Sequence, residues 1–342
     1  MGTYIYVPIS SAEHLLVFSM DPTTGKLALE HKVDLGKSGL AVCADPRGQN
    51  MYVGLSEGSS HFIGSYALDP QTGGLTSLGE IPVEGQPCYL ATDRKGSFLL
   101  AAYYIMGMAT VHALGQNGAP RHPAVDRHET EPCAHYIATD PSNRYAFVPH
   151  VAASNSIFQF YFDAGTGALT PNGSLAKLAC ESGLGPRHLA FHPTLNTVYA
   201  DNEQGSSVTA YRLDPDQGTL EPIQTLSTLP DTGFDGENSN AQLHIHPTGK
   251  SIYVSNRGHD SIAMFAIDAS TGLLRSLGQQ PGEKVPRAFG IEPDGNFLFG
   301  GGDGSHRLVS YRIDDQGALI PIGAPCELGG NAGWVYPLKL SG

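Results

Sequence analysis

The chain has no apolar run of the roughly 18 residues that a membrane-crossing helix needs, which excludes a helical span. Basic residues are in the minority: 20 Lys+Arg stand against 33 Asp+Glu, a formal net charge of −13. That balance serves solubility and argues against nucleic acid or an anionic membrane surface as partner. Cysteine is confined to Cys43, Cys88, Cys133, Cys180 and Cys326, an odd number without C-x-x-C spacing, the usage of a reducing cytosol with buried free thiols. Met1-Gly2-Thr3-Tyr4-Ile5 runs straight into a strand pattern without the charged and apolar regions of a signal peptide, and no Ser or Thr stands where a myristoylation motif wants one. A cytoplasmic protein is expected. No Ser/Gly/Pro linker or charge run interrupts the chain, so one domain spanning residues 1–342 is expected. With 42 Gly and 24 Pro, long helices have little room.

What the sequence does have is a repeat. An alternating apolar run reaches an Asp, a Gly-rich turn follows, and a Leu resumes the pattern. The phrase occurs at Asp21 with Gly25, Asp69 with Gly74, Asp163 with Gly167, Asp214 with Gly218, Asp268 with Gly272 and Asp314 with Gly317. A worn copy, Val111-His112-Ala113-Leu114 with Asn117-Gly118, fills the one long gap, and the step averages about 49 residues. The local period of two and the turn chemistry, with Gly taking the φ > 0 position, exclude helical repeats of similar length. A second hairpin precedes most copies, as in Ile245-His246-Pro247-Thr248-Gly249-Lys250 before Ile252-Tyr253-Val254. Four antiparallel strands per repeat and seven repeats define an all-β, seven-bladed β-propeller.

With the strands labelled A to D from the axis outward, the A strands are expected to begin near Leu40, Pro87, Ala134, Arg187, Ala241, Arg287 and Ala332. The first segment, Thr3 to Val7, reads as a B strand with no A strand before it, and Asn331 to Tyr336 as an A strand with nothing after it. Pairing of these N- and C-terminal segments is expected to close the ring, which removes exposed sheet edges.

Antiparallel pairing brings the start of strand A and the end of strand B to one face near the axis. That geometry predicts a cluster of His135, His150, Arg187, Glu203, Arg257 and Arg287, with Asn202 and Asn256 beside it. A basic cluster on an acidic protein reads as a local anion site. The lone carboxylate among it, Glu203, is either a general base or the ion-pair partner that holds Arg187. Tyr103 to Met108, at a B-strand end, is an aromatic wall for a sugar ring or ordinary packing. His192 and His246 directly precede Pro and are placed on the opposite rim, and His188 is set aside with them. No spacing of metal ligands repeats between blades; His244 and His246 share a strand face without a third ligand. The acidic loop from Asp231 to Asn240 is a lid over the same face or a solvated insertion.

Gly185-Pro186-Arg187-His188-Leu189-Ala190-Phe191-His192-Pro193, Asn202-Glu203, and His246 through Arg257 with Asp260-Ser261-Ile262 resemble the signature segments of the seven-bladed propeller lactonase family. That family includes propeller-type 6-phosphogluconolactonases of bacteria and fungal carboxy-cis,cis-muconate lactonizing enzymes. The resemblance runs from Tyr4-Ile5-Tyr6 to Gly333-Trp334-Val335, and G-P-R-H followed by N-E is its specific part. It implies a catalytic set of His135, Arg187, Glu203 and Arg257; the face geometry adds His150, Arg287, Asn202, Asn256 and Tyr103 as the expected substrate-binding residues. It further implies hydrolysis of a sugar lactone, 6-phosphogluconolactone or a related aldonolactone, with neither metal nor cofactor. Glu203 or His135 would deprotonate water, Arg187 and Arg257 would stabilise the oxyanion, and His150 would shuttle a proton. Run backwards, the same groups would close a muconate-like ring, and a propeller that binds a ligand or protein without turnover is the remaining alternative. The expected partner is a small-molecule lactone, without nucleic acid or membrane, on a monomer or weak homodimer.

Overall fold

In the computed structural model, which describes residues 2–341, the chain forms strands and turns with no helix among the described residues. The strands make seven antiparallel sheets set around an axis. Six blades follow in order, with innermost strands Ser38–Ala44, Tyr89–Thr92, Ala138–Thr139, Pro186–Phe191, Ser239–Ile245 and Pro286–Ile291. The seventh joins the two ends of the chain: Tyr336–Leu340 pairs antiparallel with Gly2–Pro8, Tyr6 opposite Tyr336 and Gly2 opposite Leu340. His14–Met20 and Leu27–Asp34 complete that sheet.

Three innermost strands begin later than the sequence indicates, at Tyr89, Ala138 and Tyr336 rather than Pro87, Ala134 and Ala332. In each case the chain has already approached its neighbour. Ala134 bridges His150 and Ala332 bridges Ile9, while Cys88 N–H donates to the Ala102 carbonyl at 3.0 Å.

The repeated Asp-to-Gly phrase is the seam between blades. The Asp carboxylate accepts backbone N–H groups of its own turn, as Asp268 does from Ser270 at 3.0 Å and Thr271 at 2.8 Å, and the Gly N–H returns to the Asp carbonyl. The Gly at this position adopts φ between +67° and +83°, a conformation a Cβ disfavours; in the Asp69 copy it is Gly73, one residue before the Gly74 that the sequence pattern marks. Its turn then sits on the second strand of the preceding blade. Tyr6, Tyr52, Tyr199 and Tyr253 each donate their hydroxyl to a turn carbonyl of the next blade, at Gly73, Gly118, Gly272 and Gly317. These tyrosines are fully buried, so the repeat supplies both the apolar area between blades and the polar bond that sets their angle. The worn copy has lost the Asp, yet Gly118 keeps the bond.

Candidate functional site

A single backbone device delivers three side chains to the axis. In blades 3, 4 and 6 a residue at positive φ precedes the innermost strand: Cys133 at 72°, Gly185 at 69° and Val285 at 54°. The carbonyl of each accepts the N–H that follows the second strand, from Val151 at 3.2 Å, Glu203 at 2.7 Å and Asp303 at 2.9 Å. Two residues after each comes the side chain that reaches the axis: His135, Arg187 and Arg287. At Arg187 and Arg287 the ladder also shifts register, between Pro186 and Leu189 and between Pro286 and Ala288, and such bulges re-aim the residues they contain. Val285 is β-branched in the left-handed region, a strained choice the loop imposes on it.

The second strands supply the other side of the cluster. Arg187 Nε donates to Glu203 Oε2 at 2.8 Å, and Arg257 Nη2 lies 3.4 Å from Glu203 Oε1 while donating to the Asn240 carbonyl at 2.7 Å. Arg187 Nη1 also donates to His188 Nε2 at 3.1 Å. His188 is enclosed by the rings of Tyr89, Tyr136, Trp334 and His135. Asp201, on the same strand face as Glu203, accepts the His188 N–H at 2.8 Å and so fixes the bulge that carries Arg187.

Burial dominates the electrostatics. It pulls the Arg187 guanidinium down to about 10 against the opposing pull of the Glu203 and Asp201 carboxylates. It holds His135 and His188 well below the ordinary imidazole range, with Arg187 adding to the effect, so both rings are neutral. It pushes Asp201 up to about 7, opposed by Arg187 and by the His188 backbone bond. Cys88, at the cavity wall, is raised by burial to about 12 and is no nucleophile at neutral pH.

These groups line one cavity of about 270 Å³ with two unlike walls. Blades 3 to 6 give His135, Arg187, Glu203, Arg257 and Arg287; blades 1 and 2 give Leu40, Gln86, Cys88 and the hairpin tip Tyr103 to Met106. Size alone does not single it out, since a hollow of about 510 Å³ lies among outer turn residues such as Asp214 and Glu221. Convergence does. Four of the blades send Arg, Glu or His side chains to this one volume.

The expected residues His150, Asn202 and Asn256 do not reach it. His150 is fully buried with Nδ1 on the Val148 carbonyl and Nε2 on the Thr130 hydroxyl, both at 2.9 Å. Asn202 donates to Ser207 and Thr209, and Asn256 to Ser261 and the Thr228 carbonyl. Tyr103 touches the cavity, while its hydroxyl bonds Thr110 at 3.0 Å inside the blade. All four close the second strand against the third, paired with Ser156, Ser207, Ser261 and Met108. The cavity-facing position is one residue later, at Tyr104, Glu203 and Arg257. His192 and His246 lie on turns between blades, contacting the Gly249 and Gly295 carbonyls. His188 and Asp201 are what the sequence reading passed over; the i, i+2 relation of Asp201 to Glu203 was the available signal. The 231–240 loop flanks the site through Asn240, whose N–H donates to the Glu203 carbonyl at 3.1 Å, without lining the cavity.

The fold is that of a seven-bladed β-propeller. The chain matches the family "Lactonase, 7-bladed beta-propeller" over residues 1–336. It is 32% identical to the 6-phosphogluconolactonase of Pectobacterium carotovorum subsp. carotovorum over 341 residues, covering 99% of this chain and 100% of that protein. With the 6-phosphogluconolactonase of Erwinia tasmaniensis the identity is 33% over the same shares. In fold it is similar to the periplasmic gluconolactonase of Pseudomonas aeruginosa, with a TM-score of 0.90 over 100% of both chains at 21% identity. The chain belongs to the seven-bladed β-propeller lactonase family, enzymes that hydrolyse lactones.

Proposed function

We infer that the protein hydrolyses a sugar lactone in this cavity by general base catalysis assisted by guanidinium groups. The observation that carries the reading is the convergence of Arg187, Glu203, Arg257, Arg287 and His135 on one volume. Among the described residues Glu203 is the only carboxylate lining it, and Oε1 is loosely held beside solvent, with Arg257 and Gln204 each 3.4 Å away. A water there gives its proton to Glu203 and attacks the lactone carbonyl; the tetrahedral intermediate collapses as the bond to the ring oxygen breaks, and Glu203 returns the proton to that leaving oxygen. Arg187 and Arg257 face the oxygen on which charge develops, where charge-assisted bonds in a partly dry site are strongest. Neutral His135 completes the hydrogen bonding of water or ring oxygen. Three guanidiniums around one carboxylate repel a further cation, so the chemistry is metal-independent. Arg287, outside every ion pair among the described residues, is left for an anionic group of the substrate, which favours 6-phosphogluconolactone over neutral aldonolactones.

A pH-stat panel of 6-phosphoglucono-, glucono- and galactonolactone tests the reading. Turnover of the phosphorylated lactone with the highest kcat/KM is expected. Inertness toward all three, with turnover of a muconate-type carboxylate, would replace hydrolysis by ring closure.

A further inference from the structure

Blades 4 and 6 carry the same two charges at the same two places. In each, a positive-φ residue and a Pro precede an Arg, Arg187 or Arg287, and a carboxylate, Glu203 or Asp303, follows the second strand. In each, the carboxylate's own N–H donates to the carbonyl of the positive-φ residue, at 2.7 Å in blade 4 and 2.9 Å in blade 6. The outcome differs. Glu203 reaches Arg187 at 2.8 Å, whereas no ion pair forms between Asp303 and Arg287. Asp303 Oδ1 is buried without a hydrogen-bond partner. Burial raises the Asp303 carboxyl, and the neighbouring Arg287, Arg257 and His306 oppose the rise.

We propose that Asp303 is the specificity-determining residue of the cavity: one methylene too short to pair with Arg287, it leaves that guanidinium free for the anionic group of the substrate. The inference rests on the lactonase reading for its substrate and on the blade 4 and blade 6 equivalence for its geometry. Of the four charged residues lining the cavity, three are arginines and one is Glu203, so two cationic charges remain uncompensated. Lengthening Asp303 places a second carboxylate where Glu203 stands in blade 4 and removes one of them.

Asp303→Glu and Asp303→Asn, each checked for a wild-type melting profile, provide the test. For Asp303→Glu, KM for 6-phosphogluconolactone is expected to rise on the order of tenfold with kcat little changed, while KM for gluconolactone stays within about twofold. For Asp303→Asn, KM for the phosphorylated lactone is expected to fall severalfold. Calorimetric titration with inorganic phosphate reads the same charge without turnover: Asp303→Glu weakens binding and Asp303→Asn tightens it. Equal changes for both lactones, or phosphate affinity unchanged in the variants, would overturn the inference. Should Asp303→Glu fail to fold, Asp303→Asn alone decides, tightening for and no change against. A wild type inert toward both lactones would overturn the lactonase reading instead, leaving the phosphate titration to judge Asp303.

Discussion

The outer turns and the central cavity are made by the same strands, and they obey opposite rules. At the rim, each turn closes on itself and on the blade before it, six times with the Asp and once, at Gly118, without it. At the axis, equivalent positions hold His135, Arg187 and Arg287 on one side, and Tyr104, Glu203, Arg257 and Asp303 on the other. Repetition at the rim makes a scaffold, because each turn needs only its neighbour to be satisfied. Variation at the axis makes a site, because side chains from different blades meet there without a shared pattern. Rim substitutions should therefore cost stability and leave turnover per folded molecule alone, and axis substitutions should lower that turnover.

Gly218→Ala is expected to strain this division most. Gly218 has φ +67°, and a Cβ there would run into the Tyr145 ring, whose hydroxyl bonds the Asp216 carbonyl at 2.8 Å. Left-handed strain and overpacking together should cost about 3 kcal/mol. Chemical denaturation should show that loss with kcat unchanged, and a loss of kcat in the folded fraction would blur the comparison.

Acidification separates the two regions by pH. The rim carboxylates Asp21, Asp69, Asp163 and Asp268 are lowered by hydrogen bonds from their own turns, so the stability they contribute is lost only as pH falls below the ordinary carboxylate range. The buried imidazoles at and near the axis are lowered by burial, His150 and His244 to about 4, so the unfolded chain takes up protons first and stability falls once pH drops below about 6.5. Asp201 works in the other direction. Raised to about 7, it keeps its proton when the unfolded chain has lost its own, so its penalty grows from the ordinary carboxylate range up to about pH 7. Asp201→Asn should melt above wild type at pH 8, with the gap closing toward pH 4.5; a gap independent of pH would show that Asp201 does not titrate in this way.

The smallest effect belongs to Tyr253→Phe. It removes the 3.0 Å bond to the Gly317 carbonyl and should cost about 1 kcal/mol, read as a small fall in the denaturation midpoint with kinetics unchanged.

The rim was legible in the sequence because its requirements are local. An Asp that caps its turn and a Gly at positive φ leave a mark within a few residues, so blade number and ring closure follow from spacing. The axis was half legible. Face geometry found His135, Arg187, Glu203, Arg257 and Arg287, but the reading placed His150, Asn202 and Asn256 beside them. Along a strand, one residue reverses the face. Those three close their hairpins, and only the next residue turns to the axis. His188 and Asp201 were hidden for a related reason: a bulge breaks the alternation on which such a reading depends, and no local pattern announces where it falls.

Glu203→Gln offers the most direct measurement, because it preserves shape while removing the one carboxylate among the described residues that line the cavity. Hydrolysis of 6-phosphogluconolactone followed by pH-stat, per folded molecule, should show kcat lowered about 10²-fold or more, with a lower melting temperature from the unpaired Arg187. A folded Glu203→Gln protein with wild-type kcat would contradict the account.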